Sequence, residues 1–318
     1  MSPKGIDASP NAASRALGFV AIGGAALTWS LGAIASSVLF SEGMEPTQLA
    51  VARVALTAFG LLLVWIPTRK ARGRLPIYVL LLLGLAAAAI NISFFLVIER
   101  LNVAVGTVLH YMAPVLIAVW SLLFSPHRPE FFVLASTVAA VVGVMLVSEV
   151  LAVGVASVDF IGLLLGLMSA TFFAIYTVLS GRAVAVYGSL GALVRAFGIA
   201  AACWILWQAS QGWPAQAGDA RYLGRVMFVA FGGTCLPFLL FIWGTRRVGP
   251  QRASVAATLE PAISGVIAWT VLGQTLSSWQ ITGGLIILGA VLALQFHDSA
   301  VPGVRKSAAP TAVGGNSI

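Results

Sequence analysis

The chain has 318 residues, of which 59% are apolar and only 9% charged, against roughly a quarter charged in water-soluble domains. With a mean hydropathy of +0.99, this excludes an ordinary soluble domain and points to a chain dissolved in lipid. The net charge of +8 does not indicate nucleic acid, because Lys and Arg sit in short loops between apolar blocks.

In chain order, a short basic segment (1–15) precedes ten apolar blocks at 16–39, 47–66, 77–98, 103–124, 131–148, 160–181, 188–209, 222–244, 250–272 and 278–296. Blocks of about 20 residues match a hydrocarbon core of about 30 Å. They are too long for barrel strands of about 10 alternating residues, so helices are predicted. The first block is longer than the apolar core of a secretory signal and reads as a retained first helix. Residues 149–159 form a linker, and the tail 297–318, rich in Ala, Pro, Gly and Ser, reads as disordered. Cys203 and Cys235 lie inside apolar blocks with no partner motif and read as small buried hydrophobes. No metal or other cofactor is expected.

With the N-terminus placed in the cytoplasm, thirteen of the eighteen Lys and Arg residues fall on the cytoplasmic side. Three (Arg100, Arg221, Arg225) fall outside, and Arg53 and Arg195 lie within blocks. This asymmetry supports both the helix count and an inner-membrane, multi-pass protein with both termini cytoplasmic.

The two halves repeat. An offset of 147 lays 103–131 on 250–278 without a gap and Pro114 on Pro261. An offset of 144 pairs Gly18 with Gly162, and one of 142 pairs Arg53 with Arg195. Five helices per half is an odd number, so the second half (160–296) enters from the opposite side to the first (16–148). The predicted fold is therefore all-α, integral to the membrane, with ten transmembrane helices as two inverted five-helix repeats, an architecture of secondary transporters.

Few side chains in the blocks can carry chemistry. Glu260 is the one acid in a predicted helix core. Such a charge costs roughly 2.5–3.5 kcal/mol on insertion scales, so it faces protein or a wet cavity. It can pair with a substrate ammonium, take up a proton, or serve a structural ion pair or cap beside Pro261. Arg53 and Arg195 can hold a substrate carboxylate by paired hydrogen bonds, or snorkel to headgroups. Pro114 and Pro261 each remove a backbone donor and bend their helices. Symmetry-related breaks point to a central site or gate, though a static kink would look the same. His110 can titrate near neutrality or be a hydrogen-bonded structural residue. Trp29, Asn91, Tyr111 and Tyr176 can line a path or merely pack. Gly162, Gly166, Ala170 and Ala174 recur every four residues, as helix-packing stripes do. Trp65, Trp207, Trp213, Trp243 and Trp279 lie near block ends, like interfacial anchors.

The chain resembles the EamA-type members of the drug/metabolite transporter superfamily. The resemblance rests on Thr28-Trp29-Ser30, Arg53, Tyr111-Met112-Ala113-Pro114, Leu259-Glu260-Pro261-Ala262, Trp269-Thr270-Val271-Leu272-Gly273, Gly283-Gly284 and Gly289. It departs from the family where a Glu often follows the Leu-Gly ending the fourth helix of each half: Gln274 and Ser125-Pro126 stand there. The resemblance implies a small-molecule substrate, with export of amino acids or related metabolites preferred over import.

Other classes fare worse. A membrane-embedded enzyme needs converging acids or histidines, and the blocks offer one of each, with no HExxH or GxSxG. A passive channel or facilitator would not require paired inverted halves. No phosphate-binding loop is present, so energy comes from a gradient or the movement is downhill. Oligomeric state is not readable from the sequence.

Overall fold

The computed structural model describes residues 12–68, 73–100, 103–124, 129–150, 159–212, 215–273 and 275–300. Nearly all are helical, and no strand occurs among the described residues. The first half holds α1 (Ala12–Ser41), α2 (Pro46–Thr68), α3 (Ile77–Arg100), α4 (Val103–His110), α5 (Ala113–Phe124) and α6 (Phe131–Val147). The second holds α7 (Phe160–Gln211), α8 (Ala220–Ala230), α9 (Leu236–Val248), α10 (Pro250–Ala257), α11 (Leu259–Leu272) and α12 (Ser278–Ala300). Among the described residues, seven helical stretches are long and apolar enough to cross a membrane, and 77–90 and 131–147 are shorter apolar helices. Most of the linker (151–158) and the tail from 301 lie outside the described residues, as do Ser125, Pro126, Trp213 and Gln274.

The predicted sixth and seventh blocks are joined. α7 runs for 52 residues with one non-helical residue, Gly188, at φ 71° and ψ 169°. Nothing between Arg182 and Tyr187 breaks a helix, so the turn waits for the residue without a Cβ, to which positive φ is open. At 1.5 Å per residue α7 is about 78 Å of helix, more than twice a hydrocarbon core.

The predicted fourth and ninth blocks each carry a local interruption of regular α-helix. α4 gives way to α5 through a turn at Tyr111-Met112, and α10 to α11 at Thr258. Pro114 and Pro261 sit in the first turns of α5 and α11, where the missing N–H costs least. The residues four before them, His110 and Ala257, are the last of α4 and α10. Pro237 follows a different device. A π turn at Phe231–Cys235 joins α8 to α9, and the Thr57 hydroxyl of α2 donates to the Ala230 carbonyl beside it, at 2.7 Å.

The outer surface is apolar, with Phe59, Leu63, Leu123, Leu206, Leu285 and Phe296 all largely exposed. An apolar surface this extensive belongs against lipid. Inside, α3 packs along α7, α6 along α12, and α1 along α9. Glycines allow the closest crossings: a Cβ on Gly32 of α1 would lie 2.6 Å from Gly233 Cα, and one on Gly143 of α6 would lie 2.9 Å from the Gly283 carbonyl of α12. Of the predicted small-residue stripe, Gly166 receives Leu109 of α4. Buried hydroxyls mostly bond their own helix one turn back, as Thr177 does to Phe173 and Thr245 to Phe241.

Candidate functional site

The two helix interruptions meet. Glu260 stands in the first turn of α11, where free N–H groups and the helix dipole favour negative charge. Tyr111, in the interruption before α5, donates its hydroxyl hydrogen to Glu260 Oε2 over 2.6 Å. The Ser30 hydroxyl of α1 lies 3.0 Å from the Glu260 carbonyl, and Ser264, one turn along α11, donates to Ser30 Oγ at 3.0 Å. Tyr111 thereby holds the carboxylate, while Ser30 of α1 holds the backbone of the same residue.

The ion pairs among the described residues all lie at helix ends, as in Arg100–Asp159 and Arg225–Glu42, and none involves Glu260. Glu260 is thus a charge-bearing group in the interior whose described partners are neutral. No group of three or more His, Cys, Asp or Glu side chains converges among the described residues, so no metal centre is assembled there.

An aromatic cluster adjoins this carboxylate. His110 packs against Tyr111 (5.2 Å between ring centroids) and Phe173 (5.0 Å), and its Nδ1 lies 2.8 Å from Ser169 Oγ. Phe173 stacks on Phe241 at 5.5 Å, and Phe241 reaches Trp29 at 5.5 Å. Phe238 meets Trp29, Tyr176 and Phe197 edge-on at 5.3, 5.4 and 5.1 Å. Trp29, His110, Tyr111, Tyr176 and Glu260 are therefore linked through Phe173, Phe238 and Phe241, and Pro114 and Pro261 sit three residues or fewer from Tyr111 and Glu260. The three phenylalanines and Ser169 carried no signal of their own in the sequence, because an aromatic within an apolar block looks like packing.

Arg195 does not join this cluster. Its guanidinium lies 3.9 Å from the centroid of the Tyr187 ring, near Trp65, and donates to the Gly191 carbonyl at 2.8 Å. The Tyr187 hydroxyl accepts from the Leu75 N–H at 2.7 Å, which puts this group at the α2–α3 end of the bundle. Arg53 is half-buried on α2, one turn before Thr57. Asn91 lies on α3, and its side chain is outside the described residues.

Comparison with known proteins agrees with this architecture. The profile of the EamA-like transporter family matches residues 16–149 and 160–295. The threonine/homoserine exporter RhtA of Escherichia coli is 30% identical over 288 residues, covering 89% of this chain and 88% of the relative. The uncharacterized inner membrane transporter YicL of Salmonella typhimurium is 28% identical over 214 residues, covering 67% and 70%. A protein of known crystal structure superposes with a TM-score of 0.73 at 19% identity, over 91% of this chain and 98% of its own, a likeness of fold. The family profile covers both halves of a multi-pass helical membrane protein, and the chain belongs to the EamA-like transporter family.

Proposed function

We propose that this protein is a secondary transporter that exports amino acids or closely related metabolites by alternating access, and that it is not an enzyme. The observation that carries the reading is the Tyr111–Glu260 hydrogen bond, which joins the helix interruption of one half to that of the other. A carboxylate with only neutral described partners, beside aromatic rings, is chemically suited to a substrate ammonium with an apolar or short polar side chain. The name of the Escherichia coli relative, an exporter of two amino acids, favours the same solute class.

In this proposal the chain crosses the membrane ten times, as inverted repeats 16–148 and 160–296 around the linker 149–159. Support comes from which ends touch. Arg100 pairs with Asp159, Glu42 with Arg225, Glu149 with Ser277, and the Glu45 N–H donates to Gln216. Leu75 bonds Tyr187, while Glu130 meets Arg252 and His297. With ten crossings the first group falls at one face and the second at the other, without exception. α1 packs on α9 and α3 along α7, each joining one half to the other, and α6 on α12 pairs the last helix of each half. In this proposal both termini lie on the cytoplasmic side of the inner membrane, which the charge asymmetry of the loops supports.

Counterflow in proteoliposomes with a panel of labelled amino acids tests the reading. Exchange of threonine-like or other small amino acids, lost in Glu260→Gln, is expected. Exchange that survives Glu260→Gln at every pH would remove the carboxylate from the mechanism.

A further inference from the structure

Gln251 is the second residue of α10, in the second half, and it is nine-tenths buried. Its side chain crosses to the first half. Nε2 donates to the Pro114 carbonyl of α5 at 2.8 Å and to Thr137 Oγ1 of α6 at 3.0 Å. Thr137 spends its own hydrogen on the Val133 carbonyl of α6 at 2.8 Å, so its oxygen accepts. The Pro114 carbonyl can only accept. Both neighbours therefore require the amide nitrogen, and this sets the amide orientation. The opposite atom, Oε1, is buried with no hydrogen-bond partner among the described residues.

We propose that Gln251 is a positioning residue: an inter-repeat clamp that holds the interrupted fourth span and the fifth span of the first half against the ninth span of the second, and that opens when the halves rock. This rests on the alternating-access reading above. The physical basis is the imbalance within one amide. Closed, the clamp gains two hydrogen bonds across the seam but leaves an acceptor without a protein partner among the described residues, at a cost of about 1–3 kcal/mol. Opened into a wet cleft, the two bonds are lost, while water satisfies the Pro114 carbonyl, Thr137 Oγ1 and Oε1 together. The two positions are thus close in free energy, as a moving contact requires. A contact serving only to weld the halves would have no reason to bury an unsatisfied acceptor. Ser254, one turn on, donates to the Gln251 carbonyl at 2.8 Å and stiffens α10 behind the clamp.

The test uses the full chain in liposomes with Cys203→Ser and Cys235→Ser, and Ala262→Cys as a reporter in the first turn of α11. Membrane-impermeant maleimide is added from each face without substrate. Gln251→Leu is expected to change the ratio of labelling from the two faces by at least about fivefold. Thr137→Val, which removes one acceptor and keeps the side-chain shape, is expected to shift it in the same direction by less. Equilibrium affinity for the transported amino acid stays within about twofold, because neither side chain touches Glu260 or Tyr111, while turnover changes. The proposal is overturned if both variants label as the parent does. It is equally overturned if Gln251→Leu fails to fold and Thr137→Val leaves labelling unchanged. Labelling needs no substrate, so failure to find a transported amino acid would count against the function reading and not against the clamp.

Discussion

The Tyr111 hydroxyl donates to the Glu260 carboxylate over 2.6 Å although the two residues are 149 positions apart. Tyr111 occupies the interruption between α4 and α5. The offset of 147 that aligns Pro114 with Pro261 maps Tyr111 onto Thr258, the residue that interrupts the other half. The bond therefore ties equivalent features of the two halves to each other, at the place where each half's regular α-helix is interrupted.

Tyr111→Phe keeps the ring against His110 and removes the donor. The bond, worth about 1.5–3 kcal/mol, fixes the carboxylate in place, so without it KM for the solute proposed to pair with Glu260 should rise several-fold. Initial rates in proteoliposomes over a range of substrate concentrations measure this. An unchanged KM would take Tyr111 out of the site.

Gly32→Ala should destabilise the protein by about 1–3 kcal/mol, as overpacking does. The new methyl would sit 2.6 Å from Gly233 Cα, and a backbone neighbour cannot move aside as a side-chain tip can. Gly23→Ala, on the same helix with open space around it, provides the control and should be neutral or slightly stabilising. Thermal melts in one detergent compare the two.

Thr57→Val should cost about 1–3 kcal/mol, because the Ala230 carbonyl at the π turn would lose the hydroxyl that satisfies it. Thr57→Ser should retain most of the stability. A loss in Thr57→Ser with none in Thr57→Val, read by the same melts, would show that the methyl group matters there and not the hydrogen bond.

Asp159 gives a pH-dependent prediction. It accepts from the Ile161 N–H at the start of α7 and pairs with Arg100 at 3.0 Å. The Arg100 hydrogen bond holds its carboxyl below the usual value of 3.8. A carboxyl depressed on folding adds stability above its unfolded pKa and loses it as pH falls through the folded pKa. Asp159→Asn keeps a capping side chain and removes the charge. It should lower Tm near neutrality, with the difference from the parent closing as pH falls through the depressed pKa of Asp159. A gap that widened on acidification would contradict the assignment.

Much of the architecture is legible one residue at a time. Solvent is a property of composition, so the block lengths alone announce a bundle of membrane helices. The matched positions of Pro114 and Pro261 announce interruptions because a missing N–H acts locally. Glu260 stands out for a similar reason: a carboxylate in an apolar block is costly wherever its helix lies.

Three-dimensional packing decided the rest. Phe173, Phe238 and Phe241 join the cluster only because α7 and α9 bring them beside Trp29 and His110, and nothing in an apolar block distinguishes a ring that faces the centre from one that faces lipid. Arg195 went to Tyr187 and Trp65 because the turn at Gly188 folds the start of the seventh block back toward the end of α2. Gln251 passed unnoticed because an amide near a block end looks like an interfacial residue until the Pro114 carbonyl is seen within its reach. Local chemistry fixes what each segment must be; which segments touch depends on the small free-energy differences of packing across the whole bundle, and those are not written in any one stretch of chain.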